Sequence, residues 1–328
     1  MSPPGVTVVV PTVGRPSLDR LLAALGAADP DGPRREILVV DDRPARPAPL
    51  RVPTGVRLLR GPARGPAAAR NVGWRAARHE WIAFLDDDVV PDPDWWRRLT
   101  ADLRDAGEEV GGSQGRLVVP PPEGRRPTDW ERVTAGLAGA DWITADMAYR
   151  RAALARVGGF DERFPRAFRE DIELAYRVRR AGWSLRRGGR SVTHPVRPEG
   201  PWVSLRTQRG NADDALLRRL HGPRWRDRLG VPAGRRRRHA VVTGAGIVAV
   251  AAGLLAARTG RRGWLVVAGA AAAGWTAGTA EFATARIGPG PGDPGEVATM
   301  LATSAVIPPL AVAYWLRGWW RWRSEPAR

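Results

Sequence analysis

Short, continuously apolar runs alternate with amphipathic stretches through the first third of the chain. Residues 6–10 read as a buried strand, 18–25 as a first helix, 36–40 as a second strand ending in Asp41 and Asp42, and 56–59 as a short third strand. Residues 66–78 predict a helix after a Gly/Pro-rich loop, and 81–85 the next strand. Short apolar strands separated by helices imply an α/β, mostly parallel sheet with helices on both faces. Ligands of such sheets bind beyond the carboxyl ends of the strands. Pro11 and Thr12, Asp41 and Asp42, and Asp86, Asp87 and Asp88 all fall at those ends, which is the pattern of a site rather than a scaffold.

Further on, residues 111–139 are rich in Gly, Pro and Arg, with one strand predicted at 116–119. Residues 151–157 form a short helix before a Gly158-Gly159 turn. Residues 170–181 form an amphipathic helix, with Leu174, Val178 and Ala181 on one face and Gly182 as its stop. Beyond residue 238 the chain changes character. Segments 240–257, 263–280 and 297–316 are apolar and uncharged. Each is close to the ~20 residues that cross a bilayer as a helix. A buried helical hairpin of a soluble domain would read alike. Four consecutive arginines at 235–238 and a Trp/Arg-rich tail favour the membrane. Three crossings would put Arg258, Arg261 and Arg262 outside. A first segment that is re-entrant or interfacial leaves two crossings and every positive stretch cytosolic.

Composition narrows the chemistry. The 328 residues include no cysteine, so disulfides, thiolate catalysis and cysteine-bound metals are excluded. All 52 basic residues are arginine, which excludes a lysine Schiff base or a phosphate-loop lysine. The net charge of +18 points to polyanions. The densest arginine cluster precedes an apolar segment, so the expected anion is a lipid headgroup and no nucleic acid is expected.

The strand at 81–85 runs straight into Asp86, Asp87 and Asp88. Adjacent aspartates repel one another, but in a crevice they can hold a hard divalent cation through oxygen ligands. A solvated acidic turn is the alternative. Seven motifs decide between them: VVVPTVGR (8–15), ILVVDD (37–42), ARNVG (69–73), FLDDDVVPDPDW (84–95), ADMAYRR (145–151), GGFDERF (158–164) and EDIELAYRVRRAGW (170–183). In this order, over roughly residues 6–195, they resemble the family 2 glycosyltransferases, which have the GT-A nucleotide-diphospho-sugar transferase fold.

The resemblance implies roles residue by residue. Pro11, Thr12 and Asp41 line the nucleoside pocket, Asp41 accepting hydrogen bonds from the base. Arg70 contacts the diphosphate, for which an arginine fork near a helix start is suited, and Asn71 holds the loop. Asp88 is the direct ligand of Mg²⁺ or Mn²⁺, with Asp86 and His194 as further metal candidates. Asp86 and Asp87 also lie on the nucleotide-sugar side, near the ribose or a metal-bound water. Asp171 is the general base of an inverting transfer and Glu170 orients the acceptor. Trp142, Asp161 and Glu162 line the acceptor cleft, while Asp92 and Asp94 cap the next helix. Two departures stand out: the stretch after Asp41 is DDRPAR where relatives show small polar residues, and Asp146 stands where they often have asparagine.

The implied organisation is a catalytic domain at 1–230, a basic linker at 231–239 and membrane-associated helices at 240–328. The implied activity is metal-dependent transfer of a sugar from a nucleoside-diphosphate sugar to a lipid-linked or cell-envelope glycan acceptor. The enzyme would sit at the inner membrane with its catalytic domain cytosolic and in contact with anionic lipids. The competing readings are a nucleotidyltransferase, or an inactive membrane scaffold or polyanion binder that keeps the fold.

Overall fold

The structure, a computed structural model, describes residues 4–26, 35–45 and 48–327. The chain divides into two compact units, one formed by residues up to 120 with 134–196, the other by 121–133 with 197–328.

The first unit is built on eight strands: β1 Val6–Thr12, β2 Arg35–Asp41, β3 Val56–Arg60, β4 Trp81–Leu85, β5 Val90–Pro91, β6 Val110–Val118, β7 Asp146–Arg150 and β8 Ser184–Thr193. They lie in the order β3-β2-β1-β4-β7-β6-β8-β5. The β3-β2-β1-β4 half is parallel, as the apolar runs predict. The other half is mixed: β6 and β8 are parallel, while β7 runs antiparallel to both β4 and β6, and β5 antiparallel to β8, so the mostly parallel expectation holds with antiparallel insertions. An apolar run carries no sign of strand direction. One consequence is positional: Leu85, the last residue of β4, pairs with Asp146, the first of β7. Strand β6 also begins six residues earlier than expected, since its leading Val-Gly-Gly-Ser-Gln-Gly has no apolar alternation, yet is buried throughout.

Both faces are covered. Val6, Val8, Val10, Ala83 and Leu85 pack on one side with leucines of the helix Ser17–Gly26 and with Trp95, Trp96 and Leu99. Val9, Leu38, Val40, Ile82 and Phe84 pack on the other, under the helices Pro66–Ala76, Arg151–Val157 and Glu170–Arg180. Gly73 lets the second of these layers close. A Cβ there would lie 2.2 Å from the Val9 side chain, so the helix backbone sits directly on the sheet.

The second unit is helical. Residues 197–230, expected with the catalytic domain, pack here as short helices that include Asn211–His221 and Trp225–Leu229. The three apolar segments lie within the helices Arg236–Thr259, Arg262–Ile287 and Pro294–Arg321. The first and third are long and apolar enough to cross a membrane by length and composition.

Candidate functional site

The strand directions bring the C-terminal ends of β1, β2, β4 and β8, and the start of β7, to one edge of the sheet. That edge carries Thr12, Asp41, Asp86, Asp87, Asp88, His194 and Asp146.

The three consecutive aspartates have three different environments. Asp87 points inward and is 1% exposed. Thr12 Oγ1 donates to one of its oxygens at 2.6 Å and Arg15 Nη1 to the other at 2.5 Å. Thr12 and Asp87, both expected on the nucleotide side, thereby tie the loop after β1 to the end of β4. Asp86 faces the helix Pro66–Ala76, where Arg70 Nη2 donates to it at 2.7 Å. Asp88 faces β8, its Oδ1 3.5 Å from His194 Nε2.

The Asp88–His194 pair bears on a cation. His194 Nδ1 lies 3.2 Å from the Pro195 carbonyl, which can only accept, so in the neutral ring Nε2 presents a lone pair to Asp88. At 3.5 Å the contact is too long for a hydrogen bond. A carboxylate oxygen beside an imidazole lone pair is a donor set suited to a divalent cation. Among the described residues no group of three or more His, Asp or Glu side chains could hold one.

Arg70 is the electrostatic centre. It is 1% exposed, and its Nη1 donates to Glu170 Oε1 at 2.8 Å while Nη2 holds Asp86. Arg70 Nε and Glu170 Oε2 are buried without hydrogen-bond partners. One guanidinium thus serves two carboxylates, with Asp171 adjoining. Burial, reinforced by the charge of Asp171, pushes Glu170 up to about 7 against the opposing pull of Arg70. Burial likewise raises Asp171; the Ile172 N–H, donating to its Oδ1 at 2.7 Å, and Arg70 oppose the shift, while Asp86 adds to it. For Arg70 itself burial acts downward, and Asp86 and Glu170 outweigh it.

Asp41, at the end of β2, has both oxygens engaged by Arg43, Nε at 2.9 Å and Nη2 at 2.8 Å. The departure from small polar residues in this stretch therefore places a guanidinium directly on the carboxylate expected to read the base. Beside it lies a cavity of about 540 Å³ lined by Asp41, Pro44, Leu58, Leu59 and Arg60. Asp42 does something the sequence did not disclose. It accepts from Ala63 N at 2.6 Å and Gly65 N at 2.8 Å, fixing the loop that leads into the Arg70 helix. Gly65 has φ +98°, and a Cβ there would sit 2.2 Å from the Pro165 carbonyl oxygen.

Other expected residues turn out to be internal ties. Asn71 holds the GGFDERF loop: its Nδ2 donates to the Phe160 carbonyl and to Glu162, and its Oδ1 accepts from Phe160 N and Trp74 Nε1, all at 2.8–2.9 Å. Asn71→Ala strands several buried groups and is expected to lower stability by about 1–3 kcal/mol, read from the denaturant midpoint at unchanged slope. Asp161 is gripped by the side chain of Arg163 at 2.6–3.2 Å. Asp146 is 2% exposed and receives Trp95 Nε1 at 2.8 Å and Arg190 Nε at 2.7 Å. Arg190, fully buried, also meets Asp102 and Ser113, so the aspartate is matched by a cation rather than aimed at a ligand. Asp94 takes the N-cap position of Trp95–Arg104, although its carboxylate pairs with Arg97 and Arg98 instead of backbone N–H groups. Trp142 packs beside the Phe84 layer. Trp142, Ala63 and Arg169, which immediately precedes Glu170, are the described non-glycine residues with left-handed backbone, at φ +60°, +58° and +76°.

Residues 7–158 match the family model described as Glycosyl transferase family 2. The pre-mycofactocin glycosyltransferase of Mycobacterium tuberculosis is 30% identical over 201 residues, covering 55% of this chain and 40% of that protein. The succinoglycan biosynthesis protein ExoO of Rhizobium meliloti is 38% identical over 113 residues, 33% of this chain and 32% of ExoO. The chain spans less than half the length of these curated relatives. Among solved structures, the mannosyltransferase PcManGT from Pyrobaculum calidifontis, in complex with GDP-Man and Mn²⁺, matches with a TM-score of 0.56 at 19% identity over 98% of this chain and 88% of that one. The expected GT-A fold is thus the fold found.

Proposed function

With a family 2 glycosyltransferase match over residues 7–158 as the premise, we propose that this chain is a metal-dependent inverting glycosyltransferase. It takes a sugar from a nucleoside-diphosphate sugar and delivers it to a lipid-linked or cell-envelope glycan acceptor. The observation that carries this reading is the Arg70 hub, a buried guanidinium that links Asp86 at the end of β4 to Glu170 beside Asp171.

In this reading Asp41 and the neighbouring cavity receive the base, and Arg70, held between Asp86 and Glu170, places its positive charge behind the diphosphate. Asp171 accepts the proton of the acceptor hydroxyl as that oxygen bonds to the anomeric carbon. The bond from that carbon to the diphosphate breaks, and its electron pair leaves with the phosphate oxygen. Glu170 orients the acceptor. Asp88 and His194, with Asp86 nearby, would hold Mg²⁺ or Mn²⁺, which when bound offsets charge on the departing diphosphate. The apolar helices anchor the enzyme at the inner membrane, with the catalytic unit cytosolic and arginines facing anionic lipids.

The test is thermal stability against UDP, GDP, dTDP and CDP, with and without Mn²⁺. One nucleotide should stabilise the protein in the presence of metal, by about 2.7 kcal/mol at a hundredfold excess over Kd. Asp88→Ala should abolish that gain without changing the ligand-free Tm by more than a few degrees. A gain that persists in the variant would remove Asp88 from the site.

A further inference from the structure

The helix Pro294–Arg321 qualifies as a membrane span by length and composition, yet its partners are those of a helix outside hydrocarbon. Near its start the Glu296 carboxylate accepts from Asp129 N at 2.8 Å. Two turns on, Thr303 and Ser304 accept from Arg286 Nη1 at 2.7 and 3.1 Å, and Arg286 is itself paired with Asp129 at 2.7 Å. The Arg236 guanidinium stacks over Trp315, 4.6 Å from the ring centre. At Gly318 a Cβ would lie 2.6 Å from the backbone of Ala212, in the helix that carries Asp213, Asp214, Arg218 and Arg219. Beyond the helix end, Arg219 donates to the Glu325 carbonyl.

Charged or backbone-polar partners therefore occupy both ends of the helix, at 296–304 and 315–318, and include Arg286 and Arg236 from the ends of the two preceding helices. The longest interval free of them runs from Ser304 to Trp315. It covers about 15 Å of helix, half of the ~30 Å hydrocarbon thickness. The opposite face is apolar and exposed, carrying Leu301, Val306, Leu316, Trp319 and Trp320, with Arg317, Arg321 and Arg323 at its end. An apolar stripe with a Trp/Arg terminus on one side and ion pairs on the other is the signature of a helix lying in the interface plane. The helices Arg236–Thr259 and Arg262–Ile287 differ. Residues 240–257 and 263–280 are uncharged like 297–316, but no described residue in them has a charged partner, and Val241, Ile247, Leu254, Leu265 and Val266 are exposed around them; of these two helices Arg236–Thr259 is the one that qualifies as a span by length and composition.

We infer that the hairpin of Arg236–Thr259 and Arg262–Ile287 is the membrane-inserted element, and that Pro294–Arg321 lies along the bilayer surface with its Leu301–Val306–Leu316–Trp320 stripe against anionic lipid. The inference rests on the membrane association proposed above and specifies which surface makes it.

The full chain contains no cysteine, so single-cysteine variants give unambiguous labelling. Val306 lies near the midpoint of the third helix and is 46% exposed; Ile247 lies at the midpoint of Arg236–Thr259 in the hairpin and is 64% exposed. Val306→Cys and Ile247→Cys proteins, labelled with a fluorophore and reconstituted in phosphatidylglycerol-containing vesicles, are quenched with lipids brominated at shallow or deep acyl positions. The Val306 label should be quenched best by shallow bromines and the Ile247 label by deep ones. Leu301→Cys, on the same exposed stripe, should repeat the Val306 result. A Val306 label as deep as the Ile247 label, as the midpoint of a spanning helix requires, overturns the inference. A shallow Ile247 label overturns the hairpin assignment. Absence of quenching at both positions overturns the membrane association on which the inference stands.

Discussion

Asp171→Asn is expected to lower kcat for sugar transfer by roughly 10²–10⁴-fold, the usual worth of a positioned general base, while leaving nucleotide binding unchanged. The amide keeps the shape of the carboxylate and its hydrogen bond from Ile172 N–H but cannot take a proton. The same geometry fixes the pH dependence. Burial raises both Asp171 and Glu170, the latter to about 7. The base must be ionised to act, so activity should climb with pH across a limb displaced upward from the ordinary carboxylate range toward neutrality. The two carboxyls adjoin, so that limb belongs to the pair. A pH–rate profile of kcat/KM for the acceptor reads it directly. An acid limb near pH 4, or an Asp171→Asn protein with wild-type turnover, would remove Asp171 from the proposed role.

Arg70→Ala is expected to cost roughly 3–5 kcal/mol of stability, because it leaves the buried Glu170 without its cation. Asp86, with its carboxylate 28% exposed, can recover water; Glu170, at 2%, cannot. Adding Glu170→Gln to Arg70→Ala should restore part of the loss, and the double-mutant cycle from denaturant titrations measures the coupling. The pH dependence has a definite sign. In the intact protein Glu170 binds its proton more tightly when folded, about 7 against 4.5. Its contribution is therefore full below pH 4.5 and is lost as pH rises through about 7. Without Arg70 the folded value climbs further, so the Arg70→Ala protein should lose stability with rising pH over a wider window. Arg70→Lys, keeping the charge without the fork, should fall between the two.

The strands β1, β2 and β4 were legible because each is a short apolar run ending in a polar residue, and that end is where the sheet opens. The helix at Glu170 was legible from its apolar spacing and its glycine stop. The direction of β7 was not, since burial on both faces gives antiparallel and parallel strands the same composition. The first half of β6 was hidden because its glycines are buried by what packs on them. At the site, residue types were readable and partners were not. Asp88 and His194 meet across 106 positions, and the family resemblance, not any motif that contains the two, suggested both as metal candidates. Asp42 gave no sign that its partners would be the N–H groups of Ala63 and Gly65, 21 and 23 residues on. Asp146 became an internal residue because Arg190, 44 residues away, supplies its counter-charge. Asn71 was expected to hold a loop, and the loop it holds is GGFDERF.

The left-handed backbone at Ala63, Trp142 and Arg169 bears on how such a protein responds to engineering. Replacing each by glycine or asparagine would relieve about 1–2 kcal/mol, so selection for thermal tolerance alone would find these positions early. Ala63 belongs to the loop that feeds the Arg70 helix, and Arg169 immediately precedes Glu170. Relaxing either would loosen the approach to the groups that must be held still for transfer. Heat-hardened variants of this chain should therefore divide into those altered elsewhere, which keep turnover, and those altered here, which trade it away.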